Sequence, residues 1–343
     1  MRENVLSRCG WKRGLAAFLL CLATATAASA QSFAILHNFG GSDGSGPNSP
    51  LVEGFDGKLY GTTAAGGSTG GGTFFKIGVY AAFTSLYSFC GISPCPAGWP
   101  PEPLVLGQYG DFDGATYGGG LNGGGTVFRF TPTGALTTLY NFCLENDCVG
   151  GAQPFVSFQT ADGTIYGASR EGGKAAGMVF KVSGGGLLNV LYRFGSLPRC
   201  SDGSGPSALI QGTDGNLYGT TQDGGGASCA TGKGVVFKLT PSGALTTLHS
   251  FCTQDPCTDG VYPSDLIQGV DGNFYGITGG VYGEGSTIFK ITADEVLTTL
   301  YTFCPPGGCA EGADPAGLVQ GTDGSLYGTA CGYAAAGNYG LNL

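Results

Sequence analysis

Few side chains in this 343-residue chain are of the kinds that do chemistry, and most of those recur at fixed places. Both histidines, His37 and His249, stand where a repeated segment otherwise has tyrosine, as at Tyr87, Tyr140, Tyr192 and Tyr301. A histidine in a structural slot gives no start for a Ser-His-Asp triad, a zinc hydrolase site or a copper site, each of which sets the imidazole among its own partners. Six aspartates open a recurring Asp-Gly-x-x-Tyr-Gly segment: Asp56, Asp113, Asp162, Asp214, Asp271 and Asp323. They could be calcium ligands or paired carboxylates, but Asp-Gly is also a turn dipeptide whose acid bonds its own backbone, and that reading explains all six. The strings Asp43-Gly44-Ser45-Gly46-Pro47 and Asp202-Gly203-Ser204-Gly205-Pro206 lack the alternating ligands of an EF-hand loop. No cofactor and no metal site is therefore assigned; calcium is the one ion that so acidic a chain has carboxylates to accommodate. Five basic residues also share one slot, Lys76, Arg129, Lys181, Lys238 and Lys290. Each is expected to pair with a turn aspartate, the alternative being an anion-binding ring.

Cysteine is the other reactive type. Eight cysteines form four C-x4-C pairs: Cys90 with Cys95, Cys143 with Cys148, Cys252 with Cys257 and Cys304 with Cys309. A thiolate metal site is the alternative, but export, the absence of partner histidines and the spacing together favour disulfides. Cys200 and Cys229 are placed to pair with each other, which leaves Cys331 odd.

Those residues sit in a repeat, and the repeat dictates the elements that hold them. The segment Asp-Gly-x-x-Tyr-Gly returns six times, with Asp-to-Asp steps of 57, 49, 52, 57 and 52 residues. Each unit reads as four short strands, A to D. Strand A runs up to the aspartate, as in Ala208-Leu209-Ile210-Gln211, and Asp-Gly makes the tight turn into strand B, Leu217-Tyr218-Gly219-Thr220-Thr221. Strand C is typified by Thr126-Val127-Phe128-Arg129-Phe130 and strand D by Leu136-Thr137-Thr138-Leu139-Tyr140. Helical periodicity is missing. Units of this length with four strands predict an all-β chain, a β-propeller of six four-stranded blades near residues 50–89, 103–142, 154–194, 208–251, 265–303 and 317–343. The segment 32–39 resembles strand D alone and is expected to complete the last blade, with 338–343 as its strand C. Up-and-down order puts the D–A and B–C loops on one face and the tight A–B and C–D turns on the other.

Residues 1–30 combine Arg2, Arg8, Lys12 and Arg13, an apolar run from Leu15 to Ala27, and Ala28-Ser29-Ala30. That order predicts a secretory signal peptide, with residues 31–343 as a single propeller domain that is secreted, whether periplasmic, on the cell surface or extracellular. The apolar run is shorter than the roughly 20 residues a spanning helix needs, so no membrane insertion is expected. Beyond residue 30 there are 11 Lys and Arg against 23 Asp and Glu, a net charge of −12. Such a chain lacks the basic stripe that nucleic acid or an anionic lipid surface requires.

The recurring Asp-Gly-x-Leu-Tyr-Gly-Thr-Thr, Gly-Gly-Thr-Val-Phe-Lys and Leu-Thr-Thr-Leu-Tyr-x-Phe segments resemble the bacterial GloVer tandem-repeat proteins over residues 32 to about 330. The resemblance implies an exported choice-of-anchor repeat protein, and implies no activity for the repeat itself. A site is then expected among residues that do not repeat. On the long-loop face these include Trp99, Glu145, Arg170, Tyr262 and Tyr282, aromatics beside charged groups that suit a sugar ring or a peptide. The expected function is an exported, non-catalytic scaffold that binds an extracellular glycan or protein through that face. The alternative is a carbohydrate-active lyase or hydrolase using loop carboxylates near the channel mouth.

Overall fold

A computed structural model describes residues 34–331 except 48, 79, 81, 92–94, 145–147, 173–175, 227, 230–231, 255, 280–285, 293 and 304–312. The chain divides into two compact units, residues 1–38 and 39–343. In the first, residues 34–38 carry no strand.

The second unit is built from antiparallel sheets that follow chain order. The first blade is β1 (Val52–Glu53), β2 (Leu59–Thr63), β3 (Gly70–Ile77) and β4 (Phe83–Cys90). In the second, β5 (Trp99–Pro101) and β6 (Val105–Leu106) share the place of strand A along β7 (Phe112–Gly118), followed by β8 (Thr126–Phe130) and β9 (Leu136–Asn141). The third is β10 (Ala152–Gln159), β11 (Ile165–Glu171), β12 (Met178–Val182) and β13 (Leu188–Arg193). The fourth is β14 (Ser204–Gln211), β15 (Leu217–Asp223), β16 (Val235–Leu239) and β17 (Leu245–Ser250). The fifth is β18 (Val261–Gln268), β19 (Phe274–Gly279), β20 (Thr287–Ile291) and β21 (Leu297–Thr302), and the sixth is described as β22 (Ala313–Gln320) and β23 (Leu326–Cys331). This is the all-β, six-bladed propeller that the repeat predicts. The segment proposed as strand C of the last blade, 338–343, lies outside the described residues.

The core lies between blades. A phenylalanine at the end of strand D or just past it packs edge-on or tilted against the strand C phenylalanine of the next blade, as in Phe89–Phe128, Phe142–Phe180, Phe194–Phe237 and Phe251–Phe289, with ring centroids 5.1–5.5 Å apart. Phe39 meets Phe75 in the same way at 5.2 Å. The ring at the end of the 32–39 segment therefore does for the first blade what each strand D phenylalanine does for its successor. Strand B makes room for these rings with glycine: a Cβ on Gly219 would stand 2.5 Å from Phe237 Cζ. Strand D is the most exposed strand, and its pairing with C slips by one residue beside that phenylalanine in all five complete blades.

At the tight turns, Asp56, Asp162, Asp214, Asp271 and Asp323 each accept the N–H two residues on, at 3.0–3.2 Å, and the glycine that follows has φ of 70–81°. Four of these acids also accept a tyrosine hydroxyl from strand B, Tyr60, Tyr218, Tyr275 and Tyr327, at 2.9–3.0 Å.

The second blade departs from the sequence reading. Asp113 is not its turn aspartate, because it pairs with Arg129 in the slot where Tyr218 pairs with Lys238. The turn lies four residues earlier, with Tyr109 in the aspartate slot and Gly110 (φ 83°) as the glycine. Acid and tyrosine have exchanged places, and the Asp-Gly at 113–114 is a coincidence within strand B. The turn glycines Gly57, Gly110 and Gly163 then fall at even 53-residue steps. At the end of strand A, Gln159 of the third blade matches Gln211, Gln268 and Gln320. Gln159, Gln268 and Gln320 each accept a backbone N–H from the turn of the preceding blade, at Gln108, Thr213 and Val270.

The expected basic-residue pairing is partial. Lys238 and Lys290 reach Asp214 and Asp271 at 3.2 Å. Arg129 instead holds the buried Asp113, and among the described residues Lys76 and Lys181 form no ion pair with a turn aspartate.

Candidate binding face

The face opposite the tight turns is made by the D–A and B–C loops, and one short motif sets its geometry. Each D–A loop reaches strand A through a glycine with positive φ (Gly44, Gly98, Gly151, Gly203, Gly260), and two residues later through a second unusual residue. That residue is left-handed at Gly46, Gln153, Gly205, Tyr262 and Asp314, with φ of 48–64°; in the second blade the Trp99–Pro100 peptide bond is cis instead. The first glycine is required by space, since a Cβ on Gly203 would lie 2.5 Å from Thr221 Oγ1. Buried threonine pairs close the loop end of three blades: Thr63–Thr73, Thr116–Thr126 and Thr278–Thr287 at 2.9–3.0 Å. The second threonine donates to a D–A loop carbonyl, at Asp43, Ala97 or Asp259.

Disulfides pin the same loops. Cys90–Cys95, Cys143–Cys148 and Cys252–Cys257 are formed, as the spacing predicts, and Cys200–Cys229 is formed, as the shared loop face of the two residues predicts. Cys304 and Cys309 lie outside the described residues, as does the side chain of Cys331. The Cys200 bridge is a rerouted member of the series. Cys200 stands three residues before Gly203, as Cys95, Cys148 and Cys257 stand before Gly98, Gly151 and Gly260, while Gly195 fills the slot of the first cysteine. With no thiol there, Cys200 joins the B–C loop of the fourth blade. Its carbonyl accepts Gly203 N and Gly225 N, as Cys95 accepts Gly98 N and Gly120 N, so each loop is also tied to the B–C loop beside it.

Several titratable groups of this face are engaged by the scaffold. His249 Nε2 and Asp259 Oδ2 are 2.8 Å apart, and the Cys252 N–H also donates to that carboxylate. Burial works against ionisation of Asp259, but the His249 ring and the Cys252 N–H outweigh it and hold the carboxyl below its usual range. The sequence-equivalent Tyr192 donates its hydroxyl to the buried Asp202 at 2.8 Å, and burial together with that carboxylate pushes the phenol well up. His249 thus serves as a tyrosine substitute, packing edge-on against Phe251 as Tyr192 does against Phe194. Burial raises the Asp265 carboxyl, with Leu266 N and Leu318 N donating to it. Among the described residues no three His, Cys, Asp or Glu side chains gather as metal ligands.

Of the five candidate residues, Trp99 opens β5 and is 40% exposed. Arg170, on β11, is bound to Glu102 through both terminal nitrogens at 3.2 and 3.4 Å and lies over the Phe155 ring. Tyr262, on β18, takes a hydrogen bond from Lys233 Nζ at 2.5 Å, with the ammonium 4.6 Å from the ring centroid. Glu145 and Tyr282 lie outside the described residues. Trp99, Arg170 and Tyr262 belong to three different blades, and Arg170 and Tyr262 each have partners of their own. An open cavity of about 320 Å³ on this face is lined by Thr253, Gln254, Pro256, Thr258 and Asp259, beside the Cys252–Cys257 loop. The sequence reading missed two residues on the opposite face, Phe55 and Tyr109. The signal for Tyr109 was present, but the shifted register of the second repeat hid it.

Comparison with known proteins agrees with this architecture. The sequence profile of the Gloeobacter/Verrucomicrobia repeat matches residues 24–199 and 177–341. No curated protein matches the chain. Among solved structures, a catalytically inactive variant of virginiamycin B lyase from Staphylococcus aureus with quinupristin superposes with a TM-score of 0.57 at 17% identity, over 85% of this chain and 80% of that one. The extracellular domain of a protein described as a one-component system of B. thetaiotaomicron superposes with a TM-score of 0.54 at 12% identity, over 86% of this chain. This chain spans 33% of that protein's length. At these identities the likeness is one of fold.

Proposed function

We propose, because this chain belongs to the Gloeobacter/Verrucomicrobia repeat family, that it is an exported, non-catalytic propeller scaffold which binds an extracellular glycan or protein through its disulfide-pinned loop face. One observation carries this reading: three acids and the histidine of that face are tied to scaffold partners, Glu102 to Arg170, Asp202 to Tyr192 and Asp259 to His249. Catalysis by a carboxylate pair needs two acids facing a shared cleft. Binding needs only loops already held in shape, and loops fixed before contact lose less entropy on contact. Four disulfides suit a chain that folds in an oxidising compartment. Among the described residues no helix is long and apolar enough to cross a membrane.

The test incubates residues 31–343 with soluble and insoluble polysaccharides and scores both retained protein and newly released sugar ends. Retention without release is the expected result, weakened by Trp99→Ala. Released ends would replace this reading with the lyase or hydrolase alternative.

A further inference from the structure

The tight-turn face carries a break in the repeat that scaffold duties do not explain. Five turns place aspartate before the glycine; the second places Tyr109 there, 75% exposed. In the first blade Phe55, 73% exposed, fills the turn position held elsewhere by Gln108, Ala161, Thr213, Val270 and Thr322. A repeat can meet every requirement of its turn without an aromatic ring at either slot, as the other blades show.

The two rings share one place. Both line an open cleft of about 320 Å³ at the seam of the first and second blades, together with Asp56, Tyr60, Gly110 and Pro132. Phe55 lies against Gly110, where an added Cβ would stand 3.1 Å from the ring. An adjoining cleft of about 410 Å³ continues past Phe55 along Leu106, Gln108 and Gln159. Leu106 itself replaces the glutamine that ends strand A in four other blades. Two departures from the repeat, Phe55 and Tyr109, therefore meet at one seam, and a third, Leu106, lines the cleft that adjoins it.

We propose that this seam is a second binding site, distinct from the loop face, and that it takes a neutral saccharide. Aromatic rings offer flat apolar faces for the C–H face of a sugar ring. The Asp56 side chain is 40% exposed and accepts Lys58 N and the Tyr60 hydroxyl, leaving lone pairs for sugar hydroxyls, which donate. Desolvation, the largest single influence, opposes ionisation of Asp56, but those donors and the Lys58 ammonium together outweigh it and hold its carboxyl below the usual range, so it is an acceptor at neutral pH. A proline-rich peptide presents carbonyl acceptors instead, which this carboxylate repels. An acidic sugar meets both Asp56 and the net charge of −12 beyond residue 30. The cleft volume falls at the small end of ligand sites, which suits a few sugar rings.

The experiment measures calorimetric binding of soluble cello-, xylo-, manno- and laminari-oligosaccharides and of a proline-rich peptide to residues 31–343. It compares the parent with Phe55→Thr, Tyr109→Asn and Trp99→Ala. The two turn changes install residues that the repeat or its turn type already tolerates, and unchanged thermal melting confirms that both fold. At least one oligosaccharide is expected to bind the parent, to lose at least tenfold in affinity with either turn variant, and to bind Trp99→Ala unchanged. Lack of oligosaccharide binding by the parent, turn variants that bind like the parent, or a response confined to the peptide would each overturn the proposal. Loss through Trp99→Ala alone would place the sugar on the loop face and overturn it as well.

Discussion

Burying a carboxylate costs several kcal/mol unless donors surround it, and Asp113 shows how the second blade meets that cost. Its side chain is fully buried, with Arg129 Nε and Nη2 at 2.7 and 3.0 Å and Gln159 Nε2 at 2.6 Å. Burial still outweighs these donors and leaves the carboxyl raised. Arg129→Met should therefore destabilise the protein by about 3–5 kcal/mol at neutral pH, since it leaves an uncompensated buried charge. The sign of the pH dependence follows from the raised value. A carboxyl whose folded pKa exceeds its unfolded one loses stability as pH rises through the folded value, so the gap between variant and parent should narrow at acid pH. Denaturant unfolding of both proteins from pH 4 to 8 checks this, and a gap that does not change with pH would contradict it. At this scale the sequence was legible wherever a residue kept its slot, as with His249 in the place of tyrosine. It misled at Asp113, because an accidental Asp-Gly copied the local motif, and only the pairing of Arg129 against strand B fixes the register.

Among elements, the seam between blades outweighs the loops that decorate it. Phe194 is fully buried against Phe237 of the next blade, and Phe194→Ala should cost about 3–5 kcal/mol. The local bridge Cys252–Cys257 closes five residues of chain and is worth about 2 kcal/mol in the chain-entropy model. Cys200–Cys229 closes 29 and should be worth roughly 3.5 kcal/mol. Paired serine variants, C252S/C257S and C200S/C229S, compared in denaturant will show whether that order holds; equal losses would mean that native-state contacts, not loop closure, set the values. The four strands, the turn glycines and the bridges were readable from the repeat because each depends on neighbours close in sequence. The left-handed residue before proline at Gln153, Tyr262 and Asp314 was not. Its side chains share no chemistry, and only the backbone reveals the slot. The Phe55–Tyr109 cleft was hidden for a related reason, since it joins turns from two blades.

At the level of the whole molecule, charge sets the acid limit. Donors around Asp214 and Asp271, against a desolvation that is the largest single cause only for Asp214, hold both carboxyls well below their ordinary value. A carboxyl depressed in the folded state contributes stability above its unfolded pKa of about 4 and loses it as pH falls toward the folded value. The melting temperature should therefore drop below pH 4, and an Asp214→Asn, Asp271→Asn double variant should show a shallower drop. A parallel drop in parent and variant would assign the acid limit to other groups. The phenylalanine packing has a different kind of consequence. Each hydrogen-bonded sheet runs A to D, whereas each cluster of rings joins the end of one D strand to the C strand that follows, and Phe39 supplies that ring to a blade with none before it in the described sheets. The segment that can be copied or deleted without orphaning a ring is thus offset from the blade and starts in its outermost strand. A gene that gains or loses units in this frame keeps every seam filled, so relatives of different repeat number should have their unit boundaries inside the sheets and not between them.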